Sequence, residues 1–179
     1  MTGRAIRVWL FCIALLLGAA QAAAGADYPR GWLDADGDCQ NSRQEALIAQ
    51  ATGPLHYATK RKCRVLRGRW VSPYTGAVIY DAAKIDIDHV VPLQWAWSHG
   101  ADRWPYERWM KFVNDPVNLL AVEARLNRQK GAKGPDRWLP PRNRCAYVLR
   151  FLRILKRYRL DAGAGDRFAA LRERVCSWS

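Results

Sequence analysis

The segment from Lys84 to Leu93, KIDIDHVVPL, alternates two carboxylates with two isoleucines and then sets His89 directly after Asp88. An imidazole with an ordinary pKa near 6.5 can take a proton from water at neutral pH. Carboxylate oxygens suit a hard divalent cation. Together these are parts for metal-assisted hydrolysis. That reaction needs a water nucleophile, stabilisation of extra negative charge and help for the departing oxygen. An isolated Asp-His pair, however, is more often a core histidine bonded to its neighbour.

Further polar residues follow in order. Asn118 lies in VNLLAV, and Asn127 and Lys130 lie in EARLNRQKG. Three elements must position them. KIDIDHVVP reads as a strand ended by Pro92, with Ile85, Ile87 and His89 on one face and Asp86 and Asp88 on the other. VNLLAV, Val117 to Val122, reads as a second strand. EARLNRQKG reads as a helix stopped by Gly131, with Asn127 and Lys130 three residues apart on one face.

Around this unit, NSRQEALIAQAT (Asn41 to Thr52) predicts a helix capped by Asn41 or Ser42, with Ala46, Leu47 and Ala49 apolar. TGPLHY breaks that pattern. CRVLRGRWVSPYTGAVIYD predicts a hairpin or meander. Gln94 to Asp115 reads as a loop with short helical pieces, and KGPDRWLPP as extended chain. Arg144 to Leu160 predicts a helix with Val148, Phe151, Leu152 and Leu155 on one side and Arg150, Arg153 and Arg157 on another. A last helix carries Phe168, Leu171 and Val175. The tryptophans read as core and loop packing.

The strand–strand–helix order over Asp86–Gly131 resembles the HNH endonucleases. More narrowly, GRWVSPYTG, IDIDHVVPLQWAW, FVNDPVNLLAV, NRQKGAKGPDRWLPP and then Cys145–Tyr147 resemble a secreted HNH family. That family is related to the C-terminal nuclease domain of GmrSD-type restriction enzymes. The resemblance covers roughly Cys39 to Leu160. It implies an α+β fold: a ββα-metal (HNH) core over about 84–131, with an extra N-terminal helix and hairpin and C-terminal helices. It also implies roles. His89 is the general base, its ring oriented by a backbone carbonyl. Asp88 and Asn127 hold one divalent metal, Mg2+ or Mn2+, because the helix position is an asparagine and not a histidine. Asp86, alternating with Asp88, is the other possible ligand. Asn118 braces the loop after the base-bearing strand. Lys130 reaches a phosphate, with Arg128 and Lys133 adding backbone contacts. His56 and His99 match no catalytic position of the family.

The charge agrees with a polyanionic partner. The chain carries a net +13 and a pI near 10.0. The helix from Arg144 then reads as a solvated face or as a nucleic-acid surface formed by Arg150, Arg153 and Arg157, ahead of a membrane-surface helix. Residues 1–26 read as a signal peptide, with Arg4 and Arg7 before the apolar run VWLFCIALLL and then small residues. Its removal leaves 27 basic against 16 acidic side chains, a net +11. Residues 27–179 are expected to form a single domain without stable membrane insertion, secreted or periplasmic, and monomeric. In an oxidising compartment Cys39, Cys63, Cys145 and Cys176 suggest two disulfides, with neighbours in sequence preferred as partners.

Two function classes follow. One is an endonuclease acting on DNA, or alternatively RNA, with low sequence specificity, because no recognition module accompanies the nuclease core. The other is a non-enzymatic cationic polyanion binder, which would need no Asp88–His89–Asn127 set.

Overall fold

The alternation in KIDID sends side chains to opposite sides of strand β4 (Ile85–His89). The computed structural model describes residues 28–160 and 163–177, and in it Ile85, Ile87 and Asp88 are buried while Asp86 and His89 are partly exposed. The expected signal peptide, 1–26, lies outside the described residues. β4 pairs antiparallel with β5 (Leu119–Glu123), setting Asp86 opposite Val122, Asp88 opposite Leu120 and His89 opposite Leu119. Ile85, Ile87, Leu119 and Ala121 pack into one core with Leu47, Val65 and Trp70. Leu120 and Val122 face a larger core built on Trp95, Trp109, Phe112, Phe151 and Phe168. A ribbon covered on both faces requires a continuous apolar run, and LLAV supplies it.

Helix α1 (Ser42–Ala49) covers the first core. Asn41 caps it by accepting from the Gln44 amide. The helix ends earlier than the expected Thr52, because the Thr52 amide bonds to the Arg69 carbonyl instead. Ala49, expected on the apolar side, is therefore exposed at the helix end. The hairpin appears as β2 (Val65–Val71) and β3 (Val78–Asp81). A two-residue strand β1 (His56–Tyr57), within a segment that reads in sequence only as a break, pairs with β2 and makes a three-stranded antiparallel sheet. Its existence depends on partners at Val65 and Arg67, which local composition does not show.

Helix α2 (Leu93–Trp97) starts directly after Pro92, and α3 (Tyr106–Val113) supplies Trp109 and Phe112 to the larger core. The second strand begins later than expected. Pro116–Asn118 form a 3-10 turn that Asp115 caps at the Val117 amide. Helix α4 (Ala124–Lys130) follows β5 without a loop and is terminated by Gly131 at φ +53. Helices α5 (Arg144–Tyr158) and α6 (Ala164–Cys176) close the larger core through Phe151, Ile154 and Phe168. The architecture is α+β, with two small antiparallel sheets and six α-helices among the described residues. None of those helices is long and apolar enough to cross a membrane.

Two disulfides pair neighbours in sequence, Cys39–Cys63 and Cys145–Cys176. The second joins the start of α5 to the end of α6 across 31 residues of sequence. Cross-linking a loop of that length restricts the unfolded chain by about 3–4 kcal/mol in the chain-entropy account. Replacing Cys145 and Cys176 together by serine is expected to lower the unfolding free energy by about that amount, measured by urea titration under non-reducing conditions. An unchanged midpoint would show that helical packing alone holds the pair.

Candidate active site

His89 ends β4, and its ring is fixed from two directions. Nε2 lies 2.8 Å from the carbonyl oxygen of Val113, the last residue of α3. A carbonyl only accepts, so Nε2 carries the proton and Nδ1 keeps a free lone pair. The Trp32 ring stacks on the imidazole, centroids 5.3 Å apart and planes within 8°. Burial pulls the pKa of His89 below its ordinary 6.5, and the Val113 hydrogen bond and the Asp88 charge oppose that pull. At neutral pH the imidazole is therefore uncharged and able to accept a proton at Nδ1.

Asp88 points to the other side of β4, toward α4, and is 3 % exposed. Lys130, at 0 % exposure, donates from Nζ to Asp88 Oδ1 at 2.7 Å and to the His89 carbonyl at 2.6 Å. The Tyr74 hydroxyl donates to Asp88 Oδ2. Burial lowers the Lys130 pKa, and the Asp88 carboxylate acts against that. Burial and the adjacent carboxylate push the Tyr74 hydroxyl well above its usual range, so it stays a donor. The Lys130 ammonium, expected at a phosphate, is thus buried with both of its acceptors inside the fold.

Asn127 lies one helical turn before Lys130 and donates from Nδ2 to Asp86 Oδ2 at 3.2 Å. Arg128 Nε is 3.8 Å from the same oxygen, with the arginine side chain largely exposed. Asp86 and Asp88 are two strand residues apart, about 6.6 Å. Asn127 and Lys130 are three helical residues apart, a rise of about 4.5 Å. The two spacings are close enough for α4 to meet each aspartate with one side chain. Asn118 is fully buried. It accepts from the Val91 amide at 2.9 Å, donates to the Val91 carbonyl, and receives the Val90 amide on its own carbonyl. These bonds tie the 3-10 turn before β5 to the chain leaving His89.

A cleft of about 420 Å³ opens at this place, with Asp88, His89 and Asn127 on its wall beside Tyr28, Arg30 and Gly131. Its size is that of an ordinary ligand cleft. Nothing in the sequence marks Tyr28, Arg30, Trp32 or Tyr74 as site residues. The first three precede every recognisable element. Tyr74 sits in SPYTG, which reads as a turn. That turn reaches across the strand pair, because Ser72 and Thr75 both donate to Glu123, the residue before α4, and so bring Tyr74 onto Asp88.

The expected basic surface of α5 divides. Arg150 is turned into the fold and donates to the carbonyls of Val117, Pro116 and Leu119. Its Nε and Nη2 are thus directed to the 3-10 turn and β5. Arg157 is half-exposed and pairs with Asp115 at 3.0 Å. Arg153 is exposed. Lys133 is exposed too, with Nζ 2.8 Å from the Gln129 carbonyl. Of the remaining histidines, His56 is exposed on β1, and His99 stacks on Trp95 with Nδ1 2.7 Å from the Trp95 carbonyl.

Residues 41–163 match the family described as GmrSD restriction endonucleases, C-terminal domain. An uncharacterized secreted protein of Arthroderma benhamiae is 34% identical over 142 residues, covering 77% of this chain and 68% of its own length. No solved structure matches the chain.

Removing Lys130 alone leaves Asp88 as an uncompensated buried charge. Lys130→Met is expected to destabilise the protein by about 3–5 kcal/mol, and Lys130→Met with Asp88→Leu by markedly less. Urea unfolding of the two single variants and the double variant checks this. Additive losses would mean that the two side chains do not act as a pair.

Proposed function

Because the chain belongs to the family of the C-terminal domain of GmrSD restriction endonucleases, we propose that it is a secreted or periplasmic HNH-type endonuclease. In this reading residues 84–131 are its ββα-metal core, and it hydrolyses DNA phosphodiester bonds with low sequence specificity. Export is supported by the two disulfides and by the secreted relative. The observation that carries the reading is the state of His89. Its ring is held at Nε2 by a carbonyl, is uncharged at neutral pH, and lies on the wall of the cleft that also receives Asp88 and Asn127.

His89 takes a proton from water at Nδ1 as the water oxygen attacks phosphorus. The bond from phosphorus to the 3′ oxygen breaks, and that oxygen takes a proton from solvent water, leaving a 5′-phosphate and a 3′-hydroxyl. Val113 and Trp32 hold the imidazole in the required tautomer and plane. Asp88 and Asn127 would hold a single divalent cation, with Asp86 beside Asn127. The donor set fits such an ion. Each Asp88 oxygen accepts one hydrogen bond and retains a lone pair, and the Asn127 carbonyl oxygen is not used in the bond to Asp86. All-oxygen ligation favours Mg2+ or Mn2+. When bound, the ion supplies charge stabilisation at the leaving oxygen and the pentavalent phosphorus. Lys130 offsets one of the two aspartate charges and keeps Asp88 in place. Arg30, an exposed cation on the cleft wall, replaces Lys130 as the group that meets the substrate phosphate.

Digestion of supercoiled plasmid tests the reading. Cleavage is expected with Mg2+ or Mn2+ and not in EDTA. His89→Ala is expected to lower kcat/KM by about 10²–10⁴. Gel retardation without cutting under every metal would instead identify a polyanion binder.

The pH profile tests the base separately. Activity needs neutral His89 and is lost as pH falls through its folded pKa, which burial places below 6.5. Plasmid cleavage should therefore persist at pH 6.5 and fall off only at lower pH. An acidic limb centred above pH 7 would exclude His89 as the proton acceptor.

A further inference from the structure

A second surface has a chemistry of its own. Six cations, Lys60, Arg61, Lys62, Arg64, Arg67 and Arg69, fall within ten residues that contain no acid. None of the six takes part in an ion pair among the described residues. They lead into and run along β2, whose inward residues Val65 and Trp70 belong to the smaller core. The outward residues of the same sheet are apolar and open. Tyr80 is 58 % exposed, and Leu66, Val71 and Val78 are each exposed to about two-fifths. Trp70 pairs with Ile79 on the covered face, and Val71 with Val78 at the end of the hairpin. Tyr80 thus comes beside Arg69, and both line a shallow groove with Leu66, Arg67, His56 and Pro54.

The groove has an apolar floor and cationic edges, and it shares no residue with the cleft around His89. We propose that this face binds single-stranded nucleic acid, with bases against Tyr80 and Leu66 and backbone phosphates on Arg67, Arg69 and the cations of residues 60–64. The positive charge requires an anionic ligand and disfavours a second copy of this chain. The exposed ring and aliphatic groups require that the anion also offer flat apolar faces. A duplex keeps its bases stacked inside, and an acidic polysaccharide has no aromatic bases to stack on the Tyr80 ring. A single strand presents both phosphates and unstacked bases. The surface would hold a strand on a molecule whose cutting centre lies elsewhere, and either assignment can fail alone.

The test uses the full chain with its disulfides intact, in EDTA to prevent cutting. Fluorescence anisotropy measures binding of a fifteen-residue oligothymidylate, a fifteen-base-pair duplex and a sulfated polysaccharide of similar length. The strand is expected to bind tightest. Tyr80→Ala should weaken it about tenfold and Tyr80→Phe should retain it, because stacking needs the ring and not the hydroxyl. Arg67→Ser with Arg69→Ser should reduce the slope of log K against log salt by about 1.4, or about 0.7 for each phosphate no longer neutralised. Hydrolysis of a small phosphodiester, bis(p-nitrophenyl) phosphate, with Mg2+ present should be unchanged in Tyr80→Ala, which separates this surface from the cleft. Equal strand affinity in Tyr80→Ala, or duplex or polysaccharide binding as tight as the single strand, overturns the proposal.

Discussion

Lys130 and Asp88 are both almost entirely removed from solvent, and they meet at 2.7 Å between the last turn of α4 and the middle of the β4–β5 ribbon. Desolvating either charge alone costs several kcal/mol, so the helix can dock only in the register that joins them. That register brings Asn127 to Asp86 and carries both onto the side of the ribbon where Asp88 lies. The same ammonium holds the His89 carbonyl, and so fixes the backbone of the residue whose ring stacks on Trp32. One buried cation therefore positions the two sides of β4 at once.

The remaining constraints extend from this pair. Tyr74 reaches the second oxygen of Asp88 only because the β2–β3 turn is fastened to Glu123 at the start of α4. The carbonyl of Val113 reaches Nε2 of His89 because α3 packs Trp109 and Phe112 into the larger core. No buried side-chain nitrogen or oxygen among the described residues lacks a hydrogen-bond partner. A polar cluster in this environment is stable only when fully satisfied. It also leaves little freedom for the imidazole, which the Val113 carbonyl and the Trp32 ring hold in one orientation.

The strong positive charge is distributed by use. Arg150 serves the fold as a donor to three carbonyls, and Lys130 serves it as a counterion. Arg30 lies at the cleft, and Lys60 to Arg69 form a separate cationic edge on the outer sheet. Net charge announces an anionic partner, but it does not tell a buried cation from a free one. That distinction needs the positions of carbonyls and carboxylates contributed by distant segments.

The sequence alone determined the order of strand, strand and helix, the stop at Gly131 and the presence of an adjacent Asp88 and His89 at a strand end. These rest on local rules of period, capping and alternation, which act over a few residues. It also pointed to the neighbouring cysteine pairs, Cys39 with Cys63 and Cys145 with Cys176. Tertiary structure alone decided that Lys130 is sealed against Asp88, that Tyr74 completes that carboxylate, that Trp32 covers the imidazole and that Arg150 points inward. Each of these joins residues well separated in the chain. Whether such a side chain meets solvent or a buried acceptor is settled by packing, which no local pattern encodes.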